Sequence, residues 1–123
     1  MKKVLYIEDN AVNTMLMEMI VRNLDGVELT CAGDAEAGLA VAHDMLPDVI
    51  LMDINLPGIS GIDATWQLQQ AEALRHIPII VVSSDTERRT EDKAREAGCA
   101  AYLTKPLAIA ALVRTLEGYL SAE

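Results

Sequence analysis

Phenylalanine is absent from this chain of 123 residues, and one Trp and three Tyr are its whole aromatic complement. Its core must therefore be packed from Leu, Ile, Val, Ala and the six Met. Cysteine is scarce too. Cys31 and Cys99 form neither a CxxC redox pair nor a metal-ligand spacing, and nothing else in the chain reads as a secreted disulfide scaffold. Basic residues are outnumbered, 10 Lys and Arg against 19 Asp and Glu, for a net charge of −9. Such a chain does not grip nucleic acid or an anionic membrane by itself; it suits cations or basic partners. No apolar run approaches the ~20 residues of a membrane span. Val4–Ile7, behind Met-Lys-Lys, is too short for the apolar region of a signal peptide. The expectation is a cytoplasmic protein with no membrane or direct nucleic-acid partner.

What is present is a folding composition, 51% hydrophobic and 24% charged. At this length about two-thirds of the unfolded surface is buried on folding, which suits one domain spanning residues 1–123. Val4–Ile7 is an apolar run of strand length ending in Glu8-Asp9, and Asn10 is placed to cap a helix reaching about Leu24. Val27–Cys31 reads as a strand and Asp34 as the cap of a helix to Met45. Val49–Met52 is a strand ending in Asp53. Asn55 to Gly61, with Pro57 and Gly58, is a loop. A helix over about Ile62–Leu74 precedes the strand Ile79–Val82, which ends in Ser83-Ser84-Asp85. A polar helix over about Thr86–Ala97 stops at Gly98. Ala100–Leu103 is a short fifth strand, Lys105-Pro106 a break, and Ala108–Leu120 a last helix. Five apolar strands alternating with five helices call for an α/β fold, a parallel sheet covered on both faces in a doubly wound sandwich.

In open α/β sheets, ligands bind beyond the carboxyl ends of the strands. The first strand delivers Glu8 and Asp9 there, the third Asp53, the fourth Ser83 and the fifth Lys105. Singly these are commonplace: an acidic pair is often a cap, an Asp before a Pro/Gly loop a turn residue. Their convergence at one sheet edge is not. Each carboxylate pair ~4–5 Å apart repels by ~3–4 kcal/mol at an effective dielectric near 20. Either a carboxyl stays protonated or a cation sits among them. Few hard oxygen ligands open to water suit Mg²⁺, or Mn²⁺, better than a caged Ca²⁺. Mg²⁺ and one lysine would balance the three negative charges.

Glu8-Asp9, Asp53 within Leu51-Met52-Asp53-Ile54-Asn55-Leu56-Pro57-Gly58, Ser83 after Ile79–Val82, and Lys105-Pro106 together resemble the signature of response-regulator receiver domains across essentially the whole chain. The resemblance implies a flavodoxin-like (βα)5 three-layer sandwich with strand order 2-1-3-4-5. It implies a regulatory phosphoacceptor, rather than an enzyme acting on other substrates, that takes a phosphoryl group from a phosphohistidine onto Asp53. Asp9, Glu8, Asp53 and the Asn55 backbone carbonyl would hold Mg²⁺. Lys105 would pair with a phosphoryl oxygen, and Lys105-Pro106 would be a cis peptide. Ser83 and Tyr102 would be the hydroxyl and the aromatic ring of the switch. The implied partners are a histidine kinase or histidine phosphotransfer protein and a downstream protein. Glu8 stands where Asp is commoner, Ser83 where Thr is, Ser84 where Ala is and Leu107 where Phe is.

A phosphatase of the haloacid dehalogenase type also uses an aspartyl phosphate, but wants a second Asp where this chain has Asn55. A flavin or nucleotide carrier needs a phosphate-cradling loop where Glu8-Asp9-Asn10 has the wrong charge. Asp9-Asn10 with Asn13, Met52-Asp53-Ile54 and Ala64-Thr65 resemble receivers of hybrid histidine kinases and multistep relays. A receiver piece of such a kinase is thus the alternative to a stand-alone protein, although the chain begins at Met and ends after the fifth helix. On the first helix, Leu16, Met17, Ile20 and Leu24 form a stripe expected to face the sheet. Val12, Met15 and Met19 lie on a neighbouring arc, where adaptable methionines either fill the edge of a wide core or, as the resemblance implies, dock the phosphodonor together with Leu107.

Overall fold

The computed structural model describes residues 1–121. Its elements alternate without exception: β1 (Lys2–Ile7), α1 (Ala11–Arg22), β2 (Val27–Ala32), α2 (Ala35–Met45), β3 (Val49–Asp53), α3 (Gly61–Gln70), β4 (Ile79–Ser83), α4 (Arg88–Ala97), β5 (Ala101–Thr104) and α5 (Ile109–Leu120). All strand pairings are parallel and the order is β2-β1-β3-β4-β5. The fold is a flavodoxin-like α/β sandwich.

The period-2 alternation of each strand sorts its side chains between two cores. Leu5, Ile7, Ile50, Met52, Ile79 and Val81 face the side covered by α2, α3 and α4. Val4, Tyr6, Val49, Leu51, Ile80 and Val82 face α1 and α5. Every residue of β3 and β4 is buried, as central strands covered on both faces must be. β2 and β5, at the edges, are only partly buried.

Three helix ends differ from the sequence expectation by two residues or more. The first helix ends at Arg22, and Met17, Ile20 and Val21 are its buried residues. Leu16 is 45% exposed and belongs to the outer face, not the inner stripe. The i, i+3, i+4 pattern starting from Met17 is the one that meets the sheet. α3 stops at Gln70, because Ala71 turns extended, and Leu74 reaches the core from a turn. α4 starts at Arg88 rather than Thr86, the Asp85 carboxylate having claimed the Glu87 amide and the Thr90 hydroxyl.

Candidate functional site

The carboxyl ends of β1, β3, β4 and β5 meet at one edge of the sheet. Glu8 and Asp9 follow β1 directly, and Asn10 turns the chain into α1 by accepting from the amides of Val12 at 2.9 Å and Asn13 at 3.1 Å. Asp53 is the last residue of β3 and is buried. Gly61, at the start of α3, lies so close behind it that a Cβ there would collide with the Asp53 carbonyl. Only glycine allows this approach. Ser83 closes β4, and its carbonyl accepts from the Lys105 amide at 2.7 Å, tying the end of β4 to the residue after β5. The Lys105–Pro106 peptide is cis.

Lys105 Nζ sits between two carboxylates, 2.8 Å from Glu8 Oε1 and 3.2 Å from Asp53 Oδ1. Glu8, Asp9 and Asp53 each place a ligand oxygen within 4.8 Å of the others'. Burial, reinforced by the negative charge of Glu8 and opposed by Lys105, pushes the Asp53 carboxyl up to about 6. Burial also works against ionised Glu8, but hydrogen bonds from Lys105 and Tyr6 and the charge of Lys105 outweigh it and hold that carboxyl below its ordinary value. Lys105 loses solvation too, yet its two carboxylate partners keep its ammonium more basic than usual. Glu8 and Lys105 thus form an ion pair, and Asp53 is the carboxylate left under-compensated. The three carboxylates could hold a hard divalent cation, and the all-oxygen donor set fits Mg²⁺.

The sequence of residues 4–117 matches the family model of the response regulator receiver domain. The chain belongs to this family. The receiver is 36% identical over 119 residues to the polar-differentiation response regulator DivK of Brucella ovis, covering 97% of this chain and 96% of that one. Its fold matches the receiver domain of the sensor histidine kinase PA1611 of Pseudomonas aeruginosa at a TM-score of 0.90 and 31% identity, over 98% of both chains. That structure has a magnesium ion coordinated in its active-site cleft. The chemotaxis response regulator CheY4 of Vibrio cholerae matches at 0.89 and 25% identity, over 98% of this chain and 99% of that one. Receiver domains are the regulatory phosphoacceptors of two-component systems, acting between histidine kinases and downstream effectors.

In this receiver Ser83 and Tyr102 both converge on Asp85. The Ser83 Oγ accepts from the Asp85 amide at 3.0 Å, and the Tyr102 hydroxyl donates to the Asp85 carbonyl at 2.8 Å. The Tyr102 ring is half-buried. Asn55 lies exposed two residues beyond β3. Val12, Met15 and Met19 are 72%, 62% and 60% exposed on α1. Leu107 is half-buried and lines, with Tyr6, Asn13, Leu16 and Lys105, a cavity of about 160 Å³ between α1 and the loop after β5.

Two residues in contact with the site carried no role in the sequence reading. Tyr6 donates its hydroxyl, and Asn13 its side-chain amide, to Glu8 Oε1, each at 3.0 Å. Tyr6 had a signal: two residues before Glu8, it shares a face of the strand with it, and its ring carries a polar tip into an apolar run. Asp85, the joint between Ser83 and Tyr102, had none beyond its place after β4.

Proposed function

We propose that this receiver accepts a phosphoryl group on Asp53 from the phosphohistidine of a histidine kinase or histidine phosphotransfer protein. A carboxylate oxygen of Asp53 bonds to phosphorus as the phosphorus–nitrogen bond breaks, and the imidazole departs with the electron pair. One observation carries the reading: a buried carboxylate at a strand end, under-compensated in charge, with the Lys105 ammonium 3.2 Å away. Asp9, Glu8, Asp53 and the Asn55 carbonyl would hold Mg²⁺, or Mn²⁺ in its place, with Lys105 beside them. When bound, the ion supplies electrostatic stabilisation of the phosphoryl oxygens. Lys105 turns its ammonium to a phosphoryl oxygen. Ser83 turns its hydroxyl to the phosphoryl group, releasing the Asp85 amide, and Tyr102 moves inward in response. The receiver catalyses only its own phosphorylation and dephosphorylation, works in the cytoplasm and forms one domain over residues 1–123.

The exposure of Val12, Met15 and Met19 on α1 supports this strip, with the half-buried Leu107, as the docking surface for the donor. Adaptable methionines suit a contact that must be close but transient. Similarity to the PA1611 receiver favours the second reading, a receiver within a hybrid histidine kinase. The mass of the native gene product decides between the two. The phosphoacceptor reading is tested by incubation with acetyl phosphate and Mg²⁺. The expected result is a mass gain of one phosphoryl group, lost in Asp53→Asn. Normal labelling of Asp53→Asn would overturn the assignment.

A further inference from the structure

Glu8 accepts four hydrogen bonds. Its side chain is only 1% exposed, so its charge must be satisfied from within the protein. Asn10 gives Oε2 a backbone amide at 3.3 Å. Three side chains crowd Oε1: Lys105 Nζ at 2.8 Å, the Tyr6 hydroxyl at 3.0 Å and Asn13 Nδ2 at 3.0 Å. Lys105 is the one cation among these donors, and the same ammonium must also serve Asp53. A buried carboxylate with a lysine as its main donor would hold that lysine by a strong charge-assisted bond and draw it away from Asp53. Two neutral donors on the same oxygen spread the negative charge and weaken that hold.

Both donors stand on rigid elements. The Tyr6 ring is buried in the core between β1 and the α1 and α5 layer. Asn13 lies in the first turn of α1, whose start the Asn10 cap secures. Each donor is thus placed on Glu8 by its own element and independently of Lys105.

We propose that Tyr6 and Asn13 are positioning residues for phosphoacceptance, which satisfy Glu8 so that Lys105 is free to leave it for Asp53 and the incoming phosphoryl group. The proposal rests on the reading of Asp53 as phosphoacceptor. Their role is carried through Glu8, and that makes it separable from simple packing.

The test measures phosphorylation by acetyl phosphate at saturating Mg²⁺ in the whole chain. Tyr6→Phe keeps the ring and removes the donor; Asn13→Ala removes the other. Each should slow phosphorylation about three- to tenfold, a fraction of what one hydrogen bond to a charged group contributes, because the effect reaches Asp53 only through Glu8 and Lys105. Mg²⁺ affinity, measured by calorimetry on the unphosphorylated protein, should stay within about twofold of wild type, a single lost hydrogen bond being distributed over Lys105 rather than the ion. In a Glu8→Gln background the charge is gone, and both penalties should vanish. Asn13 is half-buried at the start of α1 and outside the core, so Asn13→Ala carries the test even where Tyr6→Phe folds poorly. Wild-type rates in the single variants, or undiminished penalties in the Glu8→Gln background, would overturn the positioning role alone. If wild type itself takes no phosphoryl group, the phosphoacceptor reading falls and this role with it.

Discussion

At the scale of the residue, the site is a problem in charge balance. Asp53 has its carboxyl raised to about 6 by burial and by Glu8, so between the ordinary carboxylate range and pH 6 the folded protein binds a proton that the unfolded chain does not. The stability this gives is full below the ordinary range and lost as pH rises through about 6. At neutral pH the metal-free protein therefore carries an ionised Asp53 at a cost on the order of 3 kcal/mol. Asp53→Asn should be more stable than wild type by about that amount in urea unfolding at pH 7.5 without metal, and the advantage should shrink on titration toward pH 4. An advantage independent of pH would mean that the shift is not the cause. Lys105→Ala has the opposite sign. It removes the counter-charge that the buried Glu8 and Asp53 carboxylates share, and should both lower stability by roughly 1–3 kcal/mol and impair phosphorylation.

At the scale of the element, α4 and the loop before it are held differently from the rest. Only Ala94 and Ala97 of α4 are buried, and its other residues are polar or charged. What fixes its start is Asp85, through Glu87, Thr90, Ser83 and Tyr102. An element tied by hydrogen bonds at one end and by two alanines along its length opens at small cost. Phosphorylation should change hydrogen exchange in residues 83–97 and near Tyr102 more than elsewhere; a change spread evenly over the domain would count against the coupling. The N-terminus of α3 behaves oppositely. The contact between Gly61 and the Asp53 carbonyl leaves no room for a methyl group, so Gly61→Ala should destabilise by about 1–3 kcal/mol and slow phosphorylation by displacing Asp53. Unchanged stability in that variant would show that α3 can shift freely.

At the scale of the whole molecule, the receiver presents a cation site beside an apolar strip. Ion binding to the folded state alone should raise its melting temperature, by ~4–8 °C at ten times the dissociation constant of Mg²⁺, and Asp9→Ala should reduce the shift. The strip is tested separately. Met15→Asp and Met19→Lys should slow transfer from the phosphohistidine donor while leaving acetyl phosphate labelling and thermal stability within error of wild type. Loss of stability in these variants would instead assign the methionines to the fold. The exposure of both residues argues for the first outcome.

The amino-acid sequence by itself determined the layers and the chemistry at their edge. Val4–Ile7, Val49–Met52 and Ile79–Val82 are apolar without interruption, and only a strand covered on both faces accommodates such runs. Once their number and order are known, the residues after each strand must meet at the carboxyl edge, and so Glu8, Asp9, Asp53, Ser83 and Lys105 were legible. The end of α3 was not: Gln69, Gln70, Ala71, Glu72, Ala73 and Leu74 all favour helix, and burying Leu74 from a turn is a tertiary preference that overrides propensity. The inner stripe of α1 was misplaced by one position, Leu16 for Val21, because adjacent apolar residues leave the facing direction to the sheet beneath. Tertiary structure alone decided who shares Glu8. Tyr6 and Asn13 lie on different elements from Lys105, and all three reach one buried oxygen because strand end, helix start and the loop after β5 are packed together. Periodicity along a chain reports which way a side chain points; it carries no information about which distant donor will meet it there.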